Sequence, residues 1–311
     1  MQVPILNYYE QQPEENTFMD IMADITHKCN MTCKNCYIPN RDIPDMDLDK
    51  FVDFLKRLQG RCMIRIVGAE PTMNPRCMEY IKAVFQHGHR CILLTNGLRL
   101  SSKRYVDELH ASGLRHIYLS LNGVDNDDWY EKIDELRCAK KKIKALENIV
   151  SRRFILDTGT IIVPEVNEDA PERLLHLFEQ KKVKNALMRI KNVGQIGRFQ
   201  TDMDDNVKLD KLVELCSDQF KISTDYINSF RDKKIYGLFQ EKNSILFPLK
   251  EGNKILNRGL WCKITNWDTD NESQIPDPNS KRRGRVTENF MVAPLYDCLL
   301  YTSDAADEVD G

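Results

Sequence analysis

Short apolar runs alternate with helical patterns six times between residues 18 and 193. Strand–helix alternation with short turns requires right-handed crossovers and therefore predicts a parallel sheet. An open doubly wound sheet and a partial barrel both fit this pattern, and in either one the chemistry lies beyond the carboxyl ends of the strands. The predicted strands are 18–25, 63–67, 91–95, 116–121, 155–163 and 186–193, and the predicted helices are 46–59, 76–87, 102–112, 133–151 and 168–180.

A cysteine-rich loop follows the first predicted strand. Cys29, Cys33 and Cys36 stand in the stretch CNMTCKNCY, with three and then two residues between them. Three thiols on one loop can converge on a metal centre, but they are one short of the ligands of a closed zinc site or an ordinary four-iron cluster. Zinc usually draws on two separated Cys/His pairs, and an odd number of thiols disfavours a structural disulfide. Without a fourth cysteine, one iron of such a cluster is left open to a small molecule.

This cysteine spacing, directly after a first strand, resembles the cluster motif of the radical S-adenosylmethionine (SAM) enzymes. The resemblance implies a partial (βα)6 TIM-like barrel, with Cys29, Cys33 and Cys36 holding a [4Fe–4S] cluster whose fourth iron is chelated by SAM. In that family, reductive cleavage of SAM gives a 5′-deoxyadenosyl radical that abstracts hydrogen from a substrate. Asn35 stands where the family often has an aromatic residue. Tyr37 follows the last cysteine, in the part of the loop that the resemblance places against the cofactor.

The second predicted strand ends in Gly68-Ala69-Glu70-Pro71. By itself this sequence is typical of a turn, in which Pro71 stiffens the exit. It is similar to the Gly-Gly-Glu-Pro motif of the same family, with Ala69 in place of the second glycine. The resemblance implies that the backbone from Gly68 to Glu70 meets the amino group of SAM. The added methyl group is tolerated if Ala69 has a negative φ.

Polar turn motifs also end the next three predicted strands. Thr95 and Asn96 precede a glycine, and the resemblance implies that this turn lies near SAM. Ser120 and Asn122 belong to a Ser-Leu-Asn-Gly sequence similar to the family's Ser-Leu-Asp-Gly, in which the serine or acid contacts the ribose or carboxylate of SAM. Because Asn122 replaces the acid, it retains hydrogen bonding but adds no charge. Asn167, after strand five, is predicted to be a helix N-cap.

The sixth predicted strand carries Arg189 and Lys191 on one face. A basic residue inside a barrel mouth needs an anionic partner or water, since an unpaired buried charge is costly. Arg189 is therefore predicted either to hold the SAM carboxylate or a substrate anion, or to form an outward salt bridge.

The alternation stops after about residue 200. We predict a lead-in at 1–17, a barrel at 18–202, and an α+β extension at 203–297 that closes the open side and shapes the substrate pocket. Within the extension, 207–220 predicts a helix and 259–267 a strand whose two tryptophans pack in the core or line the pocket. The basic cluster at 281–285 predicts a solvated loop, or a contact with a phosphate or an acidic partner. Residues 298–311 are predicted to be a non-native or disordered tail.

Only three cysteines follow the barrel, and they are far apart (Cys216, Cys262 and Cys298). This spacing predicts no auxiliary cluster. It argues against the molybdopterin-precursor cyclase and most peptide-maturing enzymes of the family, whose extensions are rich in cysteine.

Composition limits the partners and the compartment. Lysine and arginine (45) nearly balance aspartate and glutamate (47), so a net charge of −2 favours neither nucleic acid nor a membrane surface as a partner. Ten cysteines, mostly single, and the absence of a signal peptide or membrane-length apolar run predict a cytoplasmic location.

The functional prediction is a radical SAM enzyme acting on a small polar substrate, such as a sugar, nucleotide or cofactor precursor. Epimerisation or dehydration is one possible outcome of such chemistry. The expected reductant is a flavodoxin or ferredoxin. The alternatives are modification of a ribosomal peptide, and a non-catalytic zinc or iron–sulfur module.

Overall fold

The computed structural model describes residues 9–34, 36, 38, 41–193, 209–231, 233, 243–251, 254–255, 259–266 and 283–294. The strands are β1 Asp20–Asp24, β2 Met63–Val67, β3 Arg90–Thr95, β4 His116–Ser120, β5 Ile155–Ile162, β6 Asn185–Asn192, β7 Ser244–Pro248, β8 Lys250–Glu251, β9 Lys254–Ile255, β10 Gly259–Thr265, β11 Arg283–Val286 and β12 Val292–Pro294. The helices are α1 Leu48–Arg57, α2 Cys77–Gln86, α3 Lys103–Ala111, α4 Asp127–Asp134, α5 Ala139–Ser151, α6 Ala170–Gln180, α7 Leu209–Phe220 and α8 Thr224–Asn228, with short 3-10 helices at Pro13–Glu15, Pro71–Met73 and Arg99–Ser101.

Ten strands form one sheet in the order β12-β11-β1-β2-β3-β4-β5-β6-β10-β7. The first six strands are parallel and follow one another in chain order, without the reversal that defines a doubly wound sheet. This order confirms the predicted partial (βα)6 barrel. The described sheet is not closed, because β12 and β7 remain as its edges.

Strands from the predicted extension lie at both sides of the barrel. β10 pairs in parallel with β6, and β11 pairs in parallel with β1. β7 and β12 then add antiparallel edges. The extension therefore lengthens the sheet on both sides, whereas the boundaries of the four predicted segments stay predictions. Trp267, residues 281–282 and residues 298–311 lie outside the described residues.

The outer face of the sheet is apolar because every second strand residue packs against the helices. Ile21, Ile64 and Ile117, for example, are completely buried. On α1, the buried residues Leu48, Phe51, Phe54 and Leu55 recur with helical spacing, so one stripe of this helix faces the sheet. No helix in the described part of the chain is both long and apolar enough to cross a membrane.

The segment predicted as one helix at 133–151 is two helices, α4 and α5. Asn126 caps the start of α4 by accepting hydrogen bonds from the N–H groups of Asp128 and Trp129, at 2.8 and 3.2 Å. Glu135 ends α4 with a left-handed backbone (φ 53°), which an α-helix cannot continue through. The prediction was wrong because the apolar spacing of the two helices runs on across the break.

The predicted N-cap role of Asn167 is also wrong. The helix after β5 begins at Ala170, with Asp169 at the capping position. The Asn167 side chain is completely buried. Its oxygen accepts from the Val163 N–H at 2.7 Å, and its NH2 group donates to the carbonyl groups of Asn122 and Ile161. Asn167 therefore joins the loops after β4 and β5.

Candidate functional site

Glu70 connects the loops at the carboxyl ends of β2 and β3. Its side chain is completely buried. Oε1 accepts from the Thr72 N–H at 3.1 Å, the Thr72 hydroxyl at 2.5 Å and the Thr95 hydroxyl at 2.7 Å, and Oε2 accepts from the Asn96 N–H at 2.6 Å. One carboxylate thus holds two of the sequence motifs together. Pro71 follows at the start of the 3-10 helix Pro71–Met73.

The backbone at Gly68 and Ala69 lies against the loop after β1. The N–H of Ala69 donates to the Thr26 carbonyl at 3.0 Å, and the N–H of Glu70 donates to the Lys28 carbonyl at 3.0 Å. Gly68 has a φ of +132°, and a Cβ at this position would lie 2.2 Å from the Thr26 oxygen. Ala69 is not among the residues with positive φ, so its methyl group is tolerated. The second strand is therefore held directly against the segment that leads into the cysteine loop.

We expect Gly68→Ala to lower the free energy of unfolding by about 3 kcal/mol or more, because it combines an unfavourable φ with a clash against fixed backbone. The matched control is Gly60→Ala. Gly60 also has a positive φ, but a Cβ added there would have nothing within 4 Å, so its cost is limited to about 1 kcal/mol of backbone strain. Urea unfolding of the two variants checks the difference, and equal losses would contradict the close approach.

Asn96 links the loop after β3 to the cysteine loop. Its Nδ2 donates to Asn30 Oδ1 at 2.8 Å and lies 3.9 Å from Cys29 Sγ. Its Oδ1 accepts from the Leu98 N–H at 3.0 Å. The motif after the third strand is therefore adjacent to the first of the three cysteines, as a common site at this end of the sheet requires.

Lys142 is a completely buried cation on α5 that the sequence analysis missed. Its Nζ donates to the Asn96 carbonyl at 2.6 Å and to the Ser120 carbonyl at 3.1 Å, and it lies 5.3 Å from the centre of the Tyr130 ring. One ammonium group thus bridges the ends of β3 and β4. In the sequence it stands in AKKKIKALE, where a run of lysines resembles an ordinary solvated helix face.

We expect Lys142→Met to lower the free energy of unfolding by about 1–3 kcal/mol, because two buried carbonyl groups lose a charged donor while the chain length is kept. Lys144→Met is the control. Lys144 lies on the same helix with a half-exposed side chain beside Glu147, where an ion pair contributes at most about 1 kcal/mol. Thermal melting of both variants measures the difference. A Lys142→Met variant as stable as the control would contradict the bridging role.

Asn122 is buried, and its amide is engaged within the protein. Nδ2 donates to Asp134 Oδ1 at 2.9 Å, and Oδ1 accepts from the Ile161 N–H at 3.1 Å. Asp134, the last residue of α4, is only 2% exposed and lies beside Cys33. A carboxylate therefore lies next to Asn122, the position at which the family motif has its acid. Ser120 is half-buried at the end of β4.

Cys29 and Cys33 pack against one small apolar cluster that includes Met31, Leu98 and Tyr130. Burial raises the pKa of Cys29, and the Glu70 carboxylate adds to this rise. Burial also raises the pKa of Cys33 well above its ordinary range, with Asp134 adding to the effect and Lys142 opposing it. Because thiolates are the metal-binding form, these thiols need a cation to ionise at neutral pH.

Arg41 lies among the thiols. Its Nη2 donates to Cys36 Sγ at 3.0 Å, and its positive charge acts to lower the pKa of Cys29. Its Nη1 is buried without a hydrogen-bond partner among the described residues. Within that part of the chain, no three His, Cys, Asp or Glu side chains are arranged to hold a metal ion. The sulfur atoms therefore lie in one region but not in a preformed three-ligand arrangement.

The donor set nevertheless fits an iron–sulfur cluster. Cys29, Cys33 and Cys36 form no disulfide bonds and are only partly buried. The unpartnered Nη1 of Arg41 is a buried donor that a sulfide or carboxylate acceptor would satisfy. Tyr37 lies outside the described residues.

Arg189 is on the inner face of the sheet, beside the Tyr118 ring. Its Nη2 lies 2.8 Å from Asp157 Oδ2, and its side chain is 17% exposed. The predicted salt bridge exists, but it faces the interior of the barrel instead of the outside.

Comparisons with known proteins show which chains this one is similar to. The family model of the radical SAM superfamily matches residues 24–178, which contain the cysteine loop and the carboxyl ends of the first five strands. The GTP 3′,8-cyclase of Staphylococcus carnosus is 26% identical over 216 residues, covering 65% of this chain and 62% of the cyclase. The PqqA peptide cyclase of Ruegeria pomeroyi is 28% identical over 163 residues, covering 50% of this chain and 43% of that enzyme.

The fold matches solved structures as well. The crystal structure of Streptococcus suis SuiB bound to S-adenosylmethionine superposes with a TM-score of 0.60 at 15% identity, covering 89% of this chain and 60% of SuiB. This chain spans less than two thirds of the length of the relatives named here. Enzymes of the matched family use a [4Fe–4S] cluster and SAM. The family model, the cysteine spacing and the order of the six strands agree, and the chain is a member of the radical SAM superfamily.

Proposed function

We propose that this protein is an enzyme that binds a [4Fe–4S] cluster through Cys29, Cys33 and Cys36 and cleaves SAM reductively to abstract hydrogen from a small polar substrate. The observation that carries the proposal is the network around Glu70, which joins the motifs after β2 and β3 beside the cysteine loop. If these segments served only as turns, no completely buried carboxylate would be needed to link them.

The bound cluster and SAM would supply the electron and the 5′-deoxyadenosyl radical, and the chain positions them. In this proposal the backbone from Gly68 to Glu70 faces the amino group of SAM. Thr95 and Asn96 border the nucleoside, and Ser120 is the residue of the β4 loop nearest to the ribose or carboxylate. Asn122 acts together with Asp134, because its own amide is already bonded to that carboxylate and to the backbone of β5.

Cluster binding requires a local rearrangement of the cysteine loop. In this proposal the Cys36 sulfur turns towards the other two thiols, and the Arg41 guanidinium, which donates to it at 3.0 Å, moves with it or leaves it. Because Nη1 of the same group has no partner in the described structure, Arg41 has a free donor to offer to the group that enters.

Small-molecule and peptide substrates are both represented among the relatives, in the GTP 3′,8-cyclase and the PqqA peptide cyclase. We propose a small polar substrate because the inner face of this sheet carries three aspartate–arginine pairs and further basic side chains. Modification of a peptide is the second candidate and is favoured by the similarity to the PqqA peptide cyclase. The reductant is proposed to be a flavodoxin or ferredoxin, and the location to be the cytoplasm.

The test is release of 5′-deoxyadenosine. The protein is reconstituted anaerobically with iron and sulfide, mixed with SAM, and divided into samples with and without dithionite. We expect 5′-deoxyadenosine only with the reductant, together with iron and sulfide in the purified protein. Zinc as the bound metal, or an iron–sulfur protein that leaves SAM intact, would instead identify a non-catalytic metal module.

A further inference from the structure

The inner face of the curved sheet carries a group of charged side chains outside the SAM site. Burial alone would lower the pKa of Arg65 on β2, but Asp20 raises it above its ordinary value, with contributions from Asp157 and Tyr118. Asp157 lies on β5, and two strands separate β5 from β2 in the sheet. The Asp157 carboxylate can therefore act on the charge of Arg65 only across the concave inner face of the sheet. Both side chains point to that face.

Each aspartate on this inner face is paired with an arginine from a neighbouring strand. Asp157 also lies 3.0 Å from His116 Nε2, and all three aspartate side chains are less than one-fifth exposed. The pairs are Asp20–Arg65 at 2.6 Å, Asp24–Arg285 at 2.7 Å and Asp157–Arg189 at 2.8 Å. Arg285 belongs to the basic cluster predicted as a solvated loop, and this prediction was wrong because β11 places it inside the barrel.

Among the described strands, basic residues outnumber acidic ones on this inner face. Strand alternation places Lys191 with Arg189 on β6, and the pairing of β10 with β6 places Lys263 beside Arg189. The described strands thus present six basic and three acidic side chains here, an excess of three positive charges in a chain whose net charge is −2. This comparison leaves out Arg90, which is exposed at the start of β3. The basic residues are Arg65, Arg189, Lys191, Lys263, Arg283 and Arg285.

The positive surface reaches the level of the proposed SAM site. Gly159 pairs with Ser120 on one side and with Arg189 on the other, so the three residues lie in one row across the sheet. A Cβ at Gly159 would lie 1.8 Å from the Tyr118 hydroxyl, which shows that the tyrosine ring lies over β5 at this glycine. The Tyr118 ring and Gly159 thus form a surface beside Arg189, and Ser120 lies at the edge of this surface.

We propose that Arg189, Lys191 and Lys263, which we term the cationic cluster, bind an anionic group of the substrate, a small molecule that carries a phosphate or a carboxylate. A guanidinium offers paired donors to either anion, and a surface with more basic than acidic groups attracts a ligand of negative charge. This inference rests on the proposed function, because it places the substrate in the hollow of the barrel below SAM. A neutral substrate would gain little from three neighbouring basic side chains.

Binding of simple dianions to the full-length, reconstituted and SAM-loaded protein tests this inference. Pyrophosphate and succinate are titrated separately by calorimetry at constant ionic strength, with chloride as the reference anion. We expect saturable binding of at least one dianion. A preference for pyrophosphate identifies a phosphate ester as the substrate class, and a preference for succinate identifies a carboxylate.

Two variants locate the site. Lys263→Gln retains the Asp157–Arg189 pair, and Arg189→Gln removes it, so thermal melting is measured for both. We expect each to weaken dianion binding about tenfold or more, the usual effect of losing a charged hydrogen bond. Lys56→Gln, on the exposed side of α1, is the charge-matched control and should change little.

The inference is overturned if neither dianion binds saturably, or if Lys263→Gln weakens binding no more than Lys56→Gln does. Release of 5′-deoxyadenosine is measured on the same samples. If the protein cleaves SAM but does not bind dianions, the proposed function stands and this inference is wrong. Protein that does not cleave SAM contradicts the proposed function, whatever its affinity for the dianions.

Discussion

Replacing Cys33 with alanine is expected to abolish both iron loading and SAM cleavage. A cluster bound through three thiolates would keep only two of them, and no fourth cysteine stands in the loop to substitute. Cys33 lies between the other two cysteines in sequence and shares its apolar cluster with Cys29. Iron and sulfide analysis after anaerobic reconstitution, followed by an assay for 5′-deoxyadenosine, measures both effects.

Cys138→Ala is the matched control for this variant. Cys138 is buried in the same apolar cluster, and burial raises its pKa to about 11. It is not one of the three motif cysteines, so its removal should cost about 1 kcal/mol of stability and leave iron loading unchanged. A four-iron cluster in Cys33→Ala, or the loss of iron in Cys138→Ala, would contradict the assignment of ligands.

The second large effect is expected for Glu70→Gln. The change replaces one carboxylate oxygen with an NH2 group, although both oxygens now accept hydrogen bonds from Thr72, Thr95 and Asn96. Whichever way the amide is turned, it directs a donor at another donor in a completely buried place. We expect the free energy of unfolding to fall by about 2–4 kcal/mol and SAM to bind about tenfold or more weakly.

Urea unfolding and equilibrium binding of SAM measure these two losses. Glu79→Gln, on the exposed part of α2, is the control, since its ion pair with Arg76 lies in solvent and contributes little. If Glu70→Gln lost stability but bound SAM normally, Glu70 would be only a structural link between the loops. If it lost neither, the network around Glu70 would not be important for the site.

The barrel could be predicted from the sequence because its signals are local. Each of the six strands is an apolar run of five to nine residues in the sequence pattern, and β2 begins and ends at the residues predicted for it, Met63 and Val67. The order of the strands follows from short right-handed crossovers. The break after Asp134 was missed because a single left-handed residue, Glu135, leaves no mark in the apolar spacing.

The additions to the sheet could not be predicted in the same way. β11 pairs with β1 across more than 250 residues of sequence, as in the register Asp20 with Arg283. No short-range pattern specifies such a partner. The neighbouring Arg285 therefore resembled part of a solvated basic loop, although it is 11% exposed and paired with Asp24.

In the candidate site, the turn motifs could be recognised in the sequence, but the residues that hold these turns in place could not. Thr95 and Asn96 stand in a conspicuous turn sequence, whereas Lys142, which holds the carbonyl group of Asn96, stands in a lysine-rich helix. Asp134 reaches Cys33 and Asn122 only because α4 ends where it does. Such residues act through contacts between distant segments, and residue type alone does not distinguish them from surface charges.

The most direct test of the central claim is the electron paramagnetic resonance spectrum of the reconstituted, dithionite-reduced protein, recorded with and without SAM. We predict the signal of a reduced [4Fe–4S] cluster whose g values change when SAM is added, because SAM would occupy an iron that Cys29, Cys33 and Cys36 leave open. A four-iron signal that SAM does not change, or the absence of such a signal in protein with all three cysteines intact, would contradict it.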